Sequence, residues 1–554
     1  MSRSYCSYCL FSHPFIRFRK SVFAEWHVLP RQFSPSKQTN FSSCCMQYCF
    51  RIKRHRGKVD NVMFKHAQLE TVKAWIIDPA NGSLPLHERI QRAIRTLILE
   101  GVLSHGKALP ASRALAASLS VSRDTIEAAY SSLHAEGFIE RQTGRGSFVS
   151  SSARFLKPHP RQHQPTAEIR KAKLSVRGKI VYESGGIREF SSPRPLAPGI
   201  PETRMFPIST WERLQRQVLK EFQHQALEQS PPQGIEHLRR AIAEYVNLER
   251  GTRARAEQII VLTSSQQALA LCSHVLMDAG DGIVIEDPSY QGAHKAFNAA
   301  GLRCIPVPLD EKGISVDGLN SLTEPARAIY LTPSHQYPTG VTLSLDRRLS
   351  VVKWANRYGA WIIEDDYDSE FHYEGKPMAS LQGLDTYNRT IYIGTFTKSL
   401  FPGLRIAYMI VPSELTEPFT MARTLMDGHT ASITQLTLAK FLEGGHFGAY
   451  VRKMRSIYVA RRDTLASLMD AYLSEYVACE TPAGGMQMPC HLKHGISEKE
   501  IATAARRAGV DILGLTDLYA GPPASTGFLM GFAAYTEREI EDAVKKLAAI
   551  FRHV

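Results

Sequence analysis

The spacing of apolar residues over 84–150 predicts three short helices followed by two strands. In the first helix the apolar residues recur at three- and four-residue steps: Leu86, Ile90, Ile94 and Leu97. Such steps place them on one face of a helix. Two further helices are predicted to begin near Ser112 and Ser122, which are expected to be their N-cap residues. Ordered structure is therefore expected from about residue 84.

The segment after these helices alternates polar and apolar residues. Residues 138–141 and 147–149 are predicted strands, with a tight Gly-Arg-Gly turn over 144–146. Three helices followed by a two-stranded ribbon are typical of a winged helix-turn-helix, whose recognition helix enters the major groove of DNA. A small structural module with solvated arginines stays open at this point, because the eight basic and seven acidic residues of 78–150 nearly balance.

A different pattern, of compact apolar runs alternating with helical stretches, begins at about residue 196. The runs predicted as buried strands are 259–262, 282–285, 328–331, 361–363 and 390–393. The helical stretches between them include 238–248 and 265–276. Strands that are apolar throughout are typical of a mainly parallel sheet covered on both faces. An α/β domain is therefore predicted, in which ligands bind at the carboxyl ends of the strands.

The composition is that of a soluble chain with a sizeable core. Of the 554 residues, 44% are hydrophobic and 22% are charged, which excludes a mostly disordered chain, a collagen and a disulfide-stapled mini-protein. No apolar run approaches the roughly 18 residues of a membrane span. The net charge of +14 is distributed unevenly along the chain.

The first 58 residues carry most of the excess positive charge, with eleven Lys and Arg against one acid. They also contain five of the nine cysteines: Cys6, Cys9, Cys44, Cys45 and Cys49. Thiolates in such pairs bind zinc, but the 34 residues between Cys9 and Cys44 disfavour a metal site, and none is predicted elsewhere. Two interpretations of this extension stay open: a disordered tail, or upstream sequence read from too early a start, with Met63 as the natural first residue.

The remaining cysteines are scattered along the chain, which is typical of proteins in a reducing cytoplasm. They are Cys272, Cys304, Cys479 and Cys490.

Residues 151–195 contain ten basic residues against three acids and little periodicity, which predicts a flexible basic linker. Such a linker either adds sequence-independent attraction to DNA phosphates or is only a solvated tether. The predicted organisation has four parts: an extension over 1–78, a winged helix-turn-helix domain over 79–150, the linker over 151–195, and the α/β domain over 196–554.

Four predicted strand ends carry polar residues that suit one cofactor. Ser265 and Gln266 open a helix whose free N–H groups can bind a phosphate. Tyr290 offers an aromatic ring, Asp365 a carboxylate and Lys398 an amine. Pyridoxal 5′-phosphate needs a lysine amine for its Schiff base and a carboxylate beside its ring nitrogen. Each feature is weak alone, and their order along one α/β domain is what predicts this cofactor.

A close resemblance to the GntR family of bacterial transcription regulators lies in the segment LPASRALAASLSVSRDTIEAAYSSLHAEGFIERQTGRGSFV. The resemblance implies a winged helix-turn-helix that binds double-stranded operator DNA. The residues that it implies at the DNA are Ser112, Arg113, Ser122, Arg123, Thr125 and Arg145.

Residues 196–554 resemble the fold-type I, class I aminotransferases in the phrases PQGIEHLRRAIAEYV, TSSQQALAL, EDPSYQG, TPSHQYPTG, IIEDDYDSEFHYEG and GTFTKSLFPGLRIAY. The whole chain resembles the MocR branch of GntR regulators. By this resemblance Lys398 is the catalytic, Schiff-base lysine, Asp365 pairs with the pyridine nitrogen, Tyr290 stacks on the ring and Tyr367 hydrogen-bonds near its phenolic oxygen. The residues implied around the phosphate are Ser265, Gln266, Thr395, Thr397 and Arg405.

Two departures from catalytic aminotransferases bear on activity. The chain has Tyr337 where those enzymes usually have the asparagine of Asn-Pro-Thr-Gly, a change that MocR relatives share. Many amino-acid aminotransferases also clamp the substrate carboxylate with a C-terminal arginine, and the best alignment of GFLMGFAAY puts Met530 at that place. Ordinary transamination is therefore disfavoured.

The resulting hypothesis is a cytoplasmic bacterial transcription regulator that binds DNA as a homodimer. Its aminotransferase-like domain senses pyridoxal phosphate or an amino compound, which requires different ligand affinities in two conformations. The alternative is a catalytically active aminotransferase with an appended DNA-binding module. A structural fusion with an empty pocket is disfavoured by the presence of Lys398, Asp365 and Arg405. No membrane partner is expected.

Overall fold

The computed structural model describes residues 69–70, 72–77, 83–152, 173–186, 192–374, 378–493 and 495–553. The chain divides into two compact units, 1–171 and 172–554. Residues 1–68 of the predicted N-terminal extension, with its five cysteines and Met63, lie outside the described residues, and so does most of the predicted linker.

The first unit contains the predicted three helices and two strands. They are α1 (Leu86–Leu99), α2 (Ser112–Leu119), α3 (Arg123–Ala135), β1 (Ile139–Gln142) and β2 (Gly146–Val149). The strands pair antiparallel, with Ile139 opposite Val149. Both of these residues join the buried core formed by the apolar faces of the helices. The winged helix-turn-helix prediction is confirmed.

Helical residues 72–77 also pack on this core, where Val72 is buried. Arg89 ties them to α1 by donating to the Ile76 carbonyl at 3.1 Å. This helix was not predicted, because order was expected only from about residue 84.

The two predicted N-caps differ in outcome. Ser122 caps α3, and its hydroxyl accepts from the Thr125 backbone N–H at 3.2 Å. The prediction for Ser112 was wrong by one position, because Ser112 is the first helical residue of α2 and Ala111 is the cap, without a side-chain hydrogen bond.

The second unit is an α/β structure with two sheets. Its helices are α4 (Val176–Glu183), α5 (Ile208–Phe222), α6 (Glu236–Arg250), α7 (Ser265–Leu276), α8 (Gln291–Ala300), α9 (Val316–Asn320), α10 (Leu345–Tyr358), α11 (Leu381–Leu384), α12 (Phe396–Ser399), α13 (Thr416–Asp427), α14 (Ser432–Glu443), α15 (His446–Leu473), α16 (Glu498–Arg507) and α17 (Glu537–Phe551). Of these, α4 lies in the segment predicted to be linker.

The larger sheet runs in the order β3-β10-β9-β8-β7-β4-β5-β6. Its strands are β3 (Ile259–Leu262), β4 (Gly282–Asp287), β5 (Arg303–Asp310), β6 (Gly313–Ile314), β7 (Ala328–Leu331), β8 (Trp361–Asp366), β9 (Thr390–Thr395) and β10 (Ala407–Ile410). The pairs from β5 through β9 are parallel, whereas β10 runs antiparallel to both β3 and β9. The mainly parallel sheet is thus confirmed.

The smaller sheet has the order β11-β12-β14-β13 and is entirely antiparallel. It consists of β11 (Val477–Cys479), β12 (Gln487–Leu492), β13 (Leu513–Gly514) and β14 (Gly527–Gly531). Cys479 lies directly opposite Cys490, and the two form a disulfide with 4.2 Å between their Cα atoms. These two cysteines are therefore neighbours, not scattered as the sequence pattern suggested.

No helix in the described part of the chain is both long enough and apolar enough to cross a membrane. Nor do the described residues contain a group of three or more His, Cys, Asp or Glu side chains placed to hold a metal ion.

Candidate functional sites

Asp365 and Lys398 lie at the same edge of the larger sheet. β8 and β9 are parallel neighbours, and their register places Asp365 opposite Ile393. Lys398 follows the end of β9 by three residues, in the short helix α12. Its Nζ donates to the Gly199 carbonyl at 2.8 Å. The parallel register thus brings the predicted carboxylate and the predicted amine into one cleft.

The Asp365 carboxylate has one oxygen in use and one without a partner. Tyr330, on the neighbouring strand β7, donates its hydroxyl to Oδ2 at 2.9 Å. Oδ1 is buried and has no hydrogen-bond partner within the described residues. Burial raises the pKa of Asp365 to about 7, and the negative charges of Asp366 and Asp368 act in the same direction. A cationic N–H donor at Oδ1 would stabilise the ionised carboxylate.

Buried basic groups lie beside the other carboxylates after β8. Arg250 contacts Asp366 at 2.7 Å and, against the effect of burial, holds its pKa below the ordinary value. His335 lies 2.9 Å from Asp368, through Nδ1 and Oδ1. Asp366 and Asp368 each keep one buried oxygen without a hydrogen-bond partner as well, but both are paired with a basic side chain, whereas the partner of Asp365 is the neutral Tyr330 hydroxyl.

Three tyrosine rings line the cleft beside this edge. The Tyr337 ring packs edge-on between Tyr290, at 5.7 Å, and Tyr367, at 6.1 Å between ring centroids. Tyr290 follows β4 and Tyr367 follows β8, so each lies at a carboxyl end of the sheet. The arrangement offers aromatic faces to a planar ligand.

The expected phosphate residues come from two strand ends. Ala407 on β10 pairs with Leu262 on one side and Thr395 on the other, so the ends of β3 and β9 lie level with each other. Ser265 opens α7 directly after β3, behind the cap Ser264. The first-turn N–H groups of such a helix attract anions.

The side chains around this point are partly engaged. Gln266 donates to the Gly292 carbonyl at 2.7 Å, while its Oε1 is buried without a partner. The Thr395 hydroxyl accepts from the Thr397 N–H at 3.1 Å. Arg405 is exposed and has a φ of 53°, a left-handed conformation that is uncommon for a residue with a side chain and occurs often at functional sites.

One face of the smaller sheet also reaches the Lys398 cleft. Gln487 pairs with Gly531 across β12 and β14, and Leu529 precedes Gly531 by two residues. Side chains directly opposite each other, or two residues apart, point to the same side of a sheet. We call this side, with Gln487, Leu529 and Gly531, the cleft face. A Cβ on Gly199 would lie 3.3 Å from Lys398 Nζ and 3.8 Å from Gln487 Oε1.

The placement of Met530 at the clamping position was wrong. Met530 points to the opposite side of β14, where it packs in the core of the smaller sheet with Phe528 and Phe532. The residue of the cleft face here is Leu529, which packs with Leu515, Leu518 and Tyr337. A shift of one residue along a strand exchanges its two faces.

Sequence reasoning missed Tyr330, Gly199 and Gln487 as parts of this cleft. Tyr330 was missed because it lies within an apolar run, where a tyrosine is expected to be an ordinary core residue. A signal did exist for Gln487, because it is a polar residue between two buried methionines, Met486 and Met488, in an otherwise apolar strand.

The expected DNA-contacting residues lie at the starts of α2 and α3 and at the tip of the β1–β2 turn. Arg113, Arg123 and Arg145 are exposed. The Ser122 hydroxyl is occupied within the protein, because it caps α3 and lies 2.7 Å from the Thr125 hydroxyl. Ser112 and Thr125 are partly buried. The exposed arginines are therefore the members of the set that are open to phosphates or bases.

Two family models match the chain. Residues 86–149 match the bacterial regulatory proteins of the gntR family, and residues 202–547 match aminotransferase class I and II. The fold of the second unit is also similar to that of LysN, an α-aminoadipate aminotransferase of Thermus thermophilus solved with N-(5′-phosphopyridoxyl)-L-leucine. That similarity has a TM-score of 0.62 and 27% identity, and covers 67% of this chain and 97% of LysN.

Relatives with both domains are similar over most of their length. The probable rhizopine catabolism regulatory protein MocR of Rhizobium meliloti is 31% identical over 480 residues, which are 85% of this chain and 94% of that protein. The pyridoxine biosynthesis transcriptional regulator PdxR of Corynebacterium glutamicum is 32% identical over 471 residues, which are 82% of this chain and 95% of PdxR. The chain therefore belongs to the aminotransferase class I and II family and, with its GntR-type DNA-binding domain, is a MocR-type transcription regulator.

Proposed function

We propose that this regulator binds operator DNA through its winged helix-turn-helix. We also propose that it senses pyridoxal phosphate, or an amino compound that binds together with pyridoxal phosphate, in the Lys398 cleft. The observation that carries the ligand half of the proposal is the buried, unpartnered oxygen of Asp365 beside Lys398. The regulator acts in the cytoplasm, where the chromosome is, and binds DNA as a homodimer.

The residues of the cleft fit pyridoxal phosphate. Asp365 Oδ1 would accept from the protonated pyridine nitrogen, which a buried carboxylate keeps charged. Lys398 would supply the amine that holds the aldehyde carbon. The first turn of α7, with Ser265 and Gln266, would receive the phosphate. When bound, the cofactor withdraws electrons from an attached amine.

The protein groups around the ring have separate tasks. Tyr330 orients Asp365 by hydrogen bonding to its second oxygen. Tyr290 and Tyr367 would contact the ring, one on its face and the other near its phenolic oxygen. Thr395, Thr397 and Arg405 would complete the phosphate site, with the Arg405 guanidinium forming a bidentate contact.

On the DNA side, Arg123 is the first residue of α3 and is exposed, which supports a contact of this arginine with the major groove. Arg113 starts α2 in the same way, and Arg145 stands at the tip of the turn between β1 and β2. Ser122 and Thr125 would hold the start of α3 in shape, and Ser112 that of α2.

The test is borohydride reduction of the purified full-length chain in the presence of pyridoxal phosphate, followed by peptide mass spectrometry. A pyridoxyl adduct on Lys398 is expected, and it should be absent from Lys398→Ala. An adduct that persists elsewhere with the same yield, or no adduct in the natural chain, would overturn the cofactor assignment. Gel-shift titration against promoter DNA upstream of its own gene, with and without pyridoxal phosphate, tests the regulatory half: affinity should change at least several-fold.

The same preparation separates sensing from catalysis. Incubation with an amino acid panel should release no stoichiometric keto acid if the domain is a sensor. Stoichiometric release that reverses on adding a keto acid would favour the transaminase alternative.

A further inference from the structure

Two oxygen acceptors lie beside the Lys398 amine. The Gly199 carbonyl already accepts from Nζ at 2.8 Å. Gln487 Oε1 is buried without a hydrogen-bond partner. A Cβ built on Gly199 would lie 3.8 Å from this oxygen and 3.3 Å from Lys398 Nζ, so both atoms lie beside Gly199. Gln487 is only 7% exposed. A buried acceptor without a donor carries an energetic cost that an incoming N–H group removes.

The other half of the cleft face is hydrocarbon. Leu529 is fully buried and packs against Leu515, Leu518 and Tyr337. The Tyr337 ring continues this apolar surface to Tyr290. The loop that carries Leu518 is held to the Tyr290 segment, because Ser289 donates to the Leu518 carbonyl at 3.1 Å. The hydrocarbon wall is therefore fixed against the aromatic side of the cleft.

The charges around the lysine disfavour an anion. Asp365 and Asp368 are both buried and close enough to interact electrostatically with Lys398. The buried arginines in the described part of the second unit hold protein acceptors: Arg250 on Asp366, Arg348 on the Pro333 carbonyl, Arg423 on Asp427, Arg461 on Glu202 and Arg462 on the Pro482 carbonyl. A carboxylate entering the cleft would meet negative charge and Leu529, while these arginines are engaged elsewhere.

We infer that the effector class read by this cleft is a hydrophobic primary amine without a carboxylate. Its N–H groups are received by the Gly199 carbonyl and Gln487 Oε1, and its hydrocarbon lies against Leu529 and Tyr337. The inference rests on the proposed function, since it concerns the ligand that meets the cofactor-loaded site.

The experiment uses the full-length chain loaded with pyridoxal phosphate and a matched pair of probes, 3-methylbutylamine and L-leucine, which differ by one carboxylate. Isothermal titration calorimetry is expected to give a dissociation constant at least about tenfold lower for the amine. Equal or tighter binding of L-leucine would overturn the inference, and so would binding of neither probe.

Two variants test the residues named. Leu529→Arg should reverse the preference by at least about tenfold, because a guanidinium on the cleft face can pair with the carboxylate. If that buried substitution fails to fold, Gln487→Leu serves, since it should weaken amine binding about tenfold by removing the acceptor while keeping the volume. Amine binding unchanged in folded Gln487→Leu would also overturn the assignment. Met530→Leu, on the opposite face of β14, is the control and should keep the preference.

The outcome is separable from that of the cofactor proposal. A Lys398 adduct together with a preference for L-leucine would reject only the effector class. Absence of the adduct in the natural chain would reject the cofactor itself.

Discussion

Tyr330 donates its hydroxyl to one oxygen of Asp365 at 2.9 Å and leaves the other oxygen buried without a partner. The two residues lie on neighbouring parallel strands, β7 and β8. The hydrogen bond fixes the carboxylate plane, so that the bare oxygen has one orientation in the cleft. A carboxylate held in this way is prepared for a single donor, and its protonation should control the stability of the ligand-free chain.

Asp365→Asn should flatten the pH dependence of stability. The folded pKa of Asp365 is about 7, above its ordinary value of 3.8, so the folded chain binds more protons than the unfolded chain between those values. The contribution of Asp365 to stability is therefore largest below about pH 4, and it is lost as the pH rises through 7. Each unit of pKa shift is worth about 1.4 kcal/mol. Asparagine keeps the acceptor for Tyr330 and has no proton to lose.

Thermal unfolding of the ligand-free chain at about pH 5, 6, 7 and 8 measures this effect. The melting temperature of Asp365→Asn should fall less with pH than that of the natural chain. Asp542→Asn, an exposed carboxylate of α17, is the control and should follow the natural chain. Parallel curves for all three proteins would contradict the assigned cause.

Arg250→Met should strongly destabilise the second unit. Arg250 is 5% exposed and contacts both Asp366, at 2.7 Å, and the Ser334 hydroxyl. Removing one partner of a buried ion pair leaves the other charge uncompensated, which typically costs about 3–5 kcal/mol. Urea unfolding followed by far-UV circular dichroism gives the value. Adding Asp366→Asn should recover part of the loss, and a double variant no more stable than Arg250→Met would argue against the pairing.

Gly531→Ala should disturb the segment that passes over Lys398. A Cβ at Gly531 would lie 2.1 Å from the Ala197 carbonyl oxygen, so the segment 196–199 must shift. Such overpacking typically costs about 1–3 kcal/mol. Gly495→Ala is the matched control, because a Cβ there meets nothing within 4 Å. Chemical denaturation should give a lower free energy of unfolding for Gly531→Ala than for Gly495→Ala. Equal values would mean that the segment 196–199 shifts without loss of stability.

Arg123→Ala should weaken binding to operator DNA without affecting the pyridoxal phosphate adduct on Lys398. Loss of a base-contacting arginine typically costs about 1–3 kcal/mol, or roughly 5- to 150-fold in affinity. Arg92→Ala removes the same charge from the exposed side of α1 and serves as the control. Fluorescence anisotropy at two salt concentrations measures both. If the two variants lose affinity equally, only net charge matters and α3 is not the recognition helix.

The strand ends were the most predictable part of the molecule. The apolar runs before Asp365 and Lys398 end in polar residues, and parallel strands bring such ends together at one edge, as β8 and β9 do. The pattern of apolar runs and the parallel order of the strands are therefore enough to predict that Asp365 and Lys398 lie in one cleft. β5 was missed because Pro306 and Pro308 interrupt its pattern, and proline usually argues against an interior strand.

The smaller sheet was not predicted, and neither was its contribution to the site. Its strands are short and their partners are distant in sequence, so pairing depends on tertiary packing that no local pattern records. The confusion between Met530 and Leu529 has the same origin. Both are buried apolar residues, and only the register with β12 shows which of them shares the sheet face of Gln487.

The run from Glu364 to Glu370 places five buried acidic side chains within seven residues at the end of β8. Burial raises the pKa of Glu364 to about 7 and that of Glu370 to about 8, so the ligand-free fold bears an electrostatic cost. A ligand that brings a positive charge to this strand end offsets that cost and stabilises the native state by mass action. Chains without ligand then unfold more often and meet proteases more often. If the proposed ligand binds here, the amount of this regulator in a cell is expected to rise and fall with the supply of that ligand.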